Sequence, residues 1–242
     1  MRHRVSTLAV FCLVFCLMAC ASSFAQFASP DLKSGKKHVH TILLMPVQVT
    51  LTRVSMKGAE PMMEESRQTE QDLRPVIAGV LQELGYKLDQ DSLGPAVLAQ
   101  DSDLRYTVDD LQKRFDVELE RMNHKAKDVR KGRFSLGDEV AKLPEIEGVD
   151  ALLFVRATGQ ILTSGKRAFG ILVAGSKFDM VFMRFGVVDA KTGDVLYFAR
   201  PVVLRNIADD SDKASNAIRK SFKNFVLANP VEQSKRDVKN IH

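Results

Sequence analysis

The sequence has no tryptophan, and its three cysteines, Cys12, Cys16 and Cys20, all fall within the first twenty residues. Beyond them the chain has no disulfide framework, no thiol nucleophile and no cysteine-ligated metal. Long apolar runs are scarce too. Residues 8–18 form an uncharged apolar run of eleven, whereas a helix needs about 20 apolar residues to cross a bilayer. A transmembrane-helix reading therefore fails. There is no Gly-x-Ser-x-Gly nucleophile elbow. Gly165, Gly170 and Gly175 are spaced by five and fit neither a phosphate loop nor a dinucleotide fingerprint. Internal repeats and low-complexity tracts are absent, and so is a strong charge excess.

What is present is a chain with 45% hydrophobic and 27% charged residues, which excludes a disordered, collagen-like or multi-span membrane protein. Arg2 and Arg4, the apolar run and the small-residue segment 19–25 have the layout of a secretory signal. Two cleavage outcomes fit. Leu17-Met18-Ala19-Cys20 resembles a bacterial lipobox, in which the Cys20 thiol is acylated and becomes the new amino terminus. Ordinary cleavage after Ala25 is the alternative, with Ser23 and Ala25 as the small residues. Either way the body is expected outside the cytoplasm, in the bacterial cell envelope. Lipidation at Cys20 would hold it in the periplasm on the outer membrane. The formal net charge of +5 loses two positive charges with the leader, leaving +3. That is too mild to argue for nucleic acid.

Along the body, residues 26–40, with Ser29, Pro30, Gly35 and the Lys36-Lys37 pair, read as a tether to a single domain over 41–229. Residues 41–54 are strand-like, continuously apolar at first and then alternating, with Pro46 marking an edge or bulge. In 64–86, Leu73, Val76, Ile77, Val80, Leu81 and Leu84 make one helical stripe, with Gly85 just past its end. Val108, Leu111, Phe115, Leu119 and Met122 predict a second helix over about 108–129, beginning near Thr107, within a charged helical insertion at about 101–137. A short helix is expected over 135–143, stopped by Pro144. Strands follow at 151–162, 178–189 and 195–204, the last two joined by a turn with Gly193 at positive φ. A closing helix over 209–227 presents Ala214, Ile218, Phe222, Phe225 and Val226, and a polar tail occupies 230–242. This order predicts an α+β fold: a mostly antiparallel sheet with helices packed on one face.

Three segments carry a resemblance. Leu43-Leu44-Met45-Pro46-Val47 is similar to the apolar strand, ending in Pro and an apolar residue, of the TolB amino-terminal domain and the curli-secretion lipoprotein CsgG. Gly148-Val149-Asp150-Ala151-Leu152-Leu153-Phe154 resembles the Gly-x-Asp segment that leads into the next central strand of that group. Residues 187–196, VVDAKTGDVL, resemble its hydrophobic-Asp-x-x-Thr-Gly-x-hydrophobic hairpin. The resemblance implies a TolB-N/CsgG-like sandwich. It also implies a non-enzymatic binding or assembly role in the envelope, with no catalytic residues and no cofactor to carry over.

His38 and His40 flank Val39 and could place two imidazoles on one side of an extended chain. They carry the alternative reading, a periplasmic metal-binding protein or hydrolase. With no third ligand nearby, solvated histidines explain them better and no metal site is assigned. Glu64-Glu65 and Asp109-Asp110 read as first-turn acids that complement helix dipoles. The basic run 125–133 reads as a solvated helix end. The apolar segment 168–175, bounded by glycines and flanked by Lys166, Arg167 and Lys177, reads either as buried chain or as an exposed contact tip. In the second case Phe169, Ile171, Leu172 and Val173 would meet a partner or membrane surface. The partners expected are a membrane, through Cys20, and an envelope protein or a second copy of the chain.

Overall fold

The structure, a computed structural model, describes residues 25–55, 57–162, 180–200, 202–204 and 211–230. The leader, Cys20, the segment 163–179 and the tail 231–242 lie outside the described residues. The apolar run after His40 does become strand, and Pro46 divides it. β2 (Thr41–Leu44) and β3 (Gln48–Ser55) both lie parallel to one long strand, β6 (Ala151–Leu162): Ile42 pairs with Ala151, and Gln48 with Arg156. Pro46 has no N–H for the ladder, so the break falls where a donor is missing. The strand β7 (Met180–Asp189) runs antiparallel to β6 and likewise pairs with two short strands, β8 (Val195–Arg200) and β9 (Val202–Leu204).

The strand order is β1-β8-β7-β6-β2-β5, where β1 is Ala25–Ala28 and β5 is Lys87–Asp89; β4 (Gly58–Pro61) pairs with β3. This is the expected α+β arrangement, a mostly antiparallel sheet with helices packed on it. One face carries α2 (Met63–Glu83) and α5 (Ser211–Ala228). Leu73, Ile77 and Leu81 meet Ile218, Phe222 and Phe225 over Leu44, Leu153, Val155 and Phe185. The other face is covered over part of its length by α4 (Ser102–Lys125) and three-ten turns at Ala126–Lys131, Asp138–Lys142 and Pro144–Ile146. There Leu111, Phe115, Met122, Val129 and Phe134 pack on Leu43, Leu152, Phe154 and Phe198.

Several expectations need correction. Residues 26–40 are not a free tether. β1 pairs antiparallel with β8, Ser29 caps the short α1 (Pro30–Lys33) by accepting the Leu32 N–H, and Leu32 and Val39 are fully buried. Asn229 at the other end of the chain clamps Val39. Its Oδ1 accepts the Val39 N–H at 3.0 Å, and its Nδ2 donates to the Val39 carbonyl at 2.7 Å. The second helix begins at Ser102, because Asp101 accepts the N–H groups of Asp103 and Leu104. The segment read as an insertion supplies the second core. Residues 138–142 form a three-ten turn, and Pro144 opens another at its first position. A further short helix, α3 (Pro95–Gln100), precedes α4.

Candidate functional site

The motif residues hold the main chain together. Asp150 Oδ2 accepts the N–H groups of His40 (2.8 Å) and Thr41 (2.9 Å), fixing the start of β2 beside β6. Asp189 Oδ1 accepts the Lys191 and Thr192 N–H groups, while Oδ2 binds Lys37 Nζ at 2.7 Å. Burial opposes ionisation of Asp189, but Lys37 and the turn N–H groups more than offset it, so its carboxyl titrates below the ordinary range. Gly193 closes this turn at φ +73, and a Cβ there would collide with the Gly137 backbone. Tyr86, packed against Phe225, donates to the Asn229 carbonyl, and burial pushes its hydroxyl up to about 12.

His38 and His40 are both exposed on either side of the buried Val39. Among the described residues no group of three His, Cys, Asp or Glu side chains is placed to hold a metal ion. Glu64 and Glu65 occupy the first turn of α2, as expected, and pair with Arg67 and Arg53. Asp109 and Asp110 do not occupy a first turn, since α4 starts seven residues before Asp109. Asp110 pairs with Arg114 one helical turn along. Cys20, Phe169, Ile171, Leu172 and Val173 lie outside the described residues.

The structure brings forward a region that motif reasoning missed: the part of the α4-side face that α4 does not cover. The boundary is Arg156, 7% exposed at the middle of β6. Its Nε donates to Asp116 Oδ1 at 2.7 Å and its Nη2 to the Gln112 carbonyl at 3.1 Å, with the guanidinium 5.4 Å from the Phe115 ring centre. Gln112 Nε2 in turn donates to the Pro46 carbonyl at 2.9 Å, tying α4 to the break between β2 and β3. Burial lowers the Arg156 pKa, and Asp116 opposes the shift.

Past Arg156 no helix among the described residues covers the strands. In register, Thr50 faces Thr158 and Thr52 faces Gln160 across β3 and β6, while Arg156 lies opposite Arg184 across β6 and β7. Thr50, Thr158, Gln160 and Phe182 are exposed and Arg184 is half-buried. Arg184 Nη1 makes a long hydrogen bond (3.4 Å) to Thr158 Oγ1. Its pKa is lowered by burial and then by Arg200, with Glu120 opposing. The face offers hydroxyls, an amide, a guanidinium and one aromatic ring to whatever meets it.

The neighbouring β3 edge, by contrast, is closed. Glu70 Oε1 accepts the Val49 N–H and Ser66 Oγ accepts the Leu51 N–H, both at 2.9 Å, so α2 occupies the donors that an added strand would use. Burial raises the Glu70 pKa, with the Val49 N–H opposing. The sequence signal for this region was the Arg that ends the apolar ALLFVR run, together with the polar positions Gln48, Thr50 and Thr52.

No family model matches the chain, and no curated protein does. Solved structures do. The chain is similar to the PelC dodecamer from Paraburkholderia phytofirmans, at 10% identity over 83% of this chain and 94% of that one, with a TM-score of 0.40. It is similar to the lipoprotein GNA1162 from Neisseria meningitidis, at 13% identity over 78% of this chain and 98% of that one, with a TM-score of 0.38. A third is a putative neuraminyllactose-binding hemagglutinin homolog from Helicobacter pylori, at 12% identity over 85% and 90%, with a TM-score of 0.37. All three are bacterial proteins. None of the three is a TolB or CsgG structure.

Proposed function

We propose that this chain is a non-enzymatic lipoprotein of the bacterial cell envelope, anchored through Cys20. It would act as a binding or assembly module with a TolB-amino-terminal/CsgG-like body. The leader supports the location, and Leu17-Met18-Ala19-Cys20 supports the anchor. The observation that carries the binding role is the uncovered end of the sheet. β6 and β7 run beyond the cover of α4, and residues 163–179, with their apolar core at 168–175, connect these same two strands. On this reading Phe169, Ile171, Leu172 and Val173 are the contact residues, and Thr158, Gln160, Phe182 and Arg184 line the described sheet face.

The test replaces Ile171, Leu172 and Val173 together with Ser in the mature protein. With Cys20→Ser as background, so that no acyl chain contributes, self-association by sedimentation velocity and binding to membranes are expected to fall. If both stay as in the parent chain, the contact role is wrong. Mass spectrometry of the mature amino terminus decides the anchor separately. An acylated Cys20 supports it, and a free amino terminus at Gln26 removes it.

A further inference from the structure

We infer that the β1 edge of the sheet is a docking surface for an anionic lipid bilayer, a reading that rests on the Cys20 anchor proposed above. Ala25–Ala28 is a strand held in the sheet by β8, so only residues 21–24 separate Cys20 from the folded body. A fully extended chain spans at most ~3.6 Å per residue, which keeps the start of β1 within about 18 Å of the acylated residue. The body has no long tether on which to stand away from the membrane.

The residues around this strand are basic. On one side Gln26 holds α5: its Nε2 donates to the Lys220 carbonyl at 2.7 Å, and its Oε1 accepts the Asn224 N–H at 3.0 Å. Lys220, Lys223 and Leu227 are spaced three and four apart there, all exposed, Leu227 at 56%. On the other side lies the turn Ala126–Lys131, with the Arg130 guanidinium 5.1 Å from the Phe27 ring centre and Lys127 exposed. Lys33 and Arg130 line one cleft of about 340 Å³ with Gln26, Asn224 and Leu227. The nearby acids are engaged elsewhere, Asp31 with Lys36 and Asp128 with Lys131 and Arg133. Lys33, Lys127, Arg130, Lys220 and Lys223 make no ion pair among the described residues.

Unpaired cations beside a lipid anchor are drawn to headgroup phosphates, and an apolar residue at the mouth of a cationic cleft suits the boundary with the acyl chains. Lys33 and Arg130 take a phosphate between them, and Leu227 faces the hydrocarbon. The basic run 125–133 thus has a use beyond a solvated helix end.

The test takes the full mature chain with Cys20→Ser, so that no acyl chain contributes, and vesicles of phosphatidylcholine with or without phosphatidylglycerol. Binding is expected only to the phosphatidylglycerol vesicles, weakening as salt is added. Reversing Lys33, Arg130 and Lys220 to Glu should weaken it at least about 100-fold. Arg67→Glu, on the exposed surface of α2, should leave it near the parent value. Arg130 touches Phe27, so Lys33→Gln with Lys220→Gln serves as a second variant that spares the packing. Equal binding to neutral vesicles, no binding to either, or an equal loss with Arg67→Glu overturns the inference. So does displacement by inorganic phosphate beyond that by sodium chloride at matched ionic strength, which marks a free-anion site. A mature chain beginning at Gln26 would remove the anchor and leave the vesicle result standing. An acylated Cys20 with no phosphatidylglycerol dependence would remove this inference alone.

Discussion

On the α2/α5 side of the sheet, apolar alternation runs the length of the long strands: Val47, Val49 and Leu51 in β3, Leu153, Val155 and Ala157 in β6, and Val181, Met183, Phe185 and Val187 in β7. On the α4 side it stops at Phe154, and Arg156, Thr158 and Gln160 follow. The difference is one of cover. α2 and α5 bury everything beneath them with a cluster of aromatic rings, Phe185, Tyr197, Phe222 and Phe225, with centres 5.2 to 6.0 Å apart. α4 does not reach the far half of its face, where Thr158, Gln160 and Phe182 are exposed. A face that keeps a polar row along an otherwise apolar strand is fitted for water rather than for a core.

The largest break in this comparison comes from the fully covered side. Phe222 is completely buried among those rings. Phe222→Ala should cost about 3–5 kcal/mol, since the rings around it cannot collapse into the space. Urea unfolding at constant slope checks it. A loss below about 1 kcal/mol would mean that this side is packed no better than the other.

Next comes the near half of the α4 side. Gly186 sits in the middle of β7 with no side chain because the Phe115 ring occupies that space. Phe115 is in turn stacked on Phe154 with ring centres 4.4 Å apart. Gly186→Ala should cost about 1–3 kcal/mol through overpacking. Combined with Phe115→Leu, it should cost less than the two single changes added together. Strict additivity would show that α4 does not press on the sheet at this point.

These packing relations differ in how far the sequence displays them. α2 and α5 were legible because their stripes recur at helical spacing, and β6 and β7 because apolar content and period-two alternation survive over ten or more residues. β1 and α1 were not. Phe27, Leu32 and Val39 are isolated apolar residues among Ser, Pro, Gly and Lys, and what buries them, β8 and Asn229, lies more than 150 residues away. The start of α4 was hidden because its first turn holds a single apolar residue, Leu104, and its cap precedes the clear stripe. For the candidate region, the polar row Gln48, Thr50 and Thr52 was visible. The partners that define its boundary, Asp116 and Gln112 around Arg156, come together only through the fold.

Smaller still is the effect of the closed β3 edge. Burial holds the Glu70 pKa above its ordinary value. A raised carboxyl favours the fold while protonated, so its contribution is present below the unfolded pKa and is lost as pH rises through the folded one. Glu70→Gln keeps an acceptor for the Val49 N–H and removes the titration. The variant should therefore gain stability relative to the parent as pH rises from about 4 to 7. A difference that stays flat or shrinks over that range would show that the edge is held by hydrogen bonding alone.

The smallest effect belongs to the open half itself. Thr158 is exposed on β6, and its hydroxyl accepts a long contact from Arg184. Thr158→Val keeps the branched shape that a strand favours and deletes a hydroxyl that water already serves. Its effect on the urea midpoint should stay within about 0.5 kcal/mol. The same change should weaken whatever assembly this face supports, because a hydroxyl lost from a contact surface is no longer replaced by water. A stability loss approaching that of Phe222→Ala would instead mean that the hydroxyl sits inside a packed core. The two sides of the sheet would then be alike, and the face could no longer serve as a contact surface.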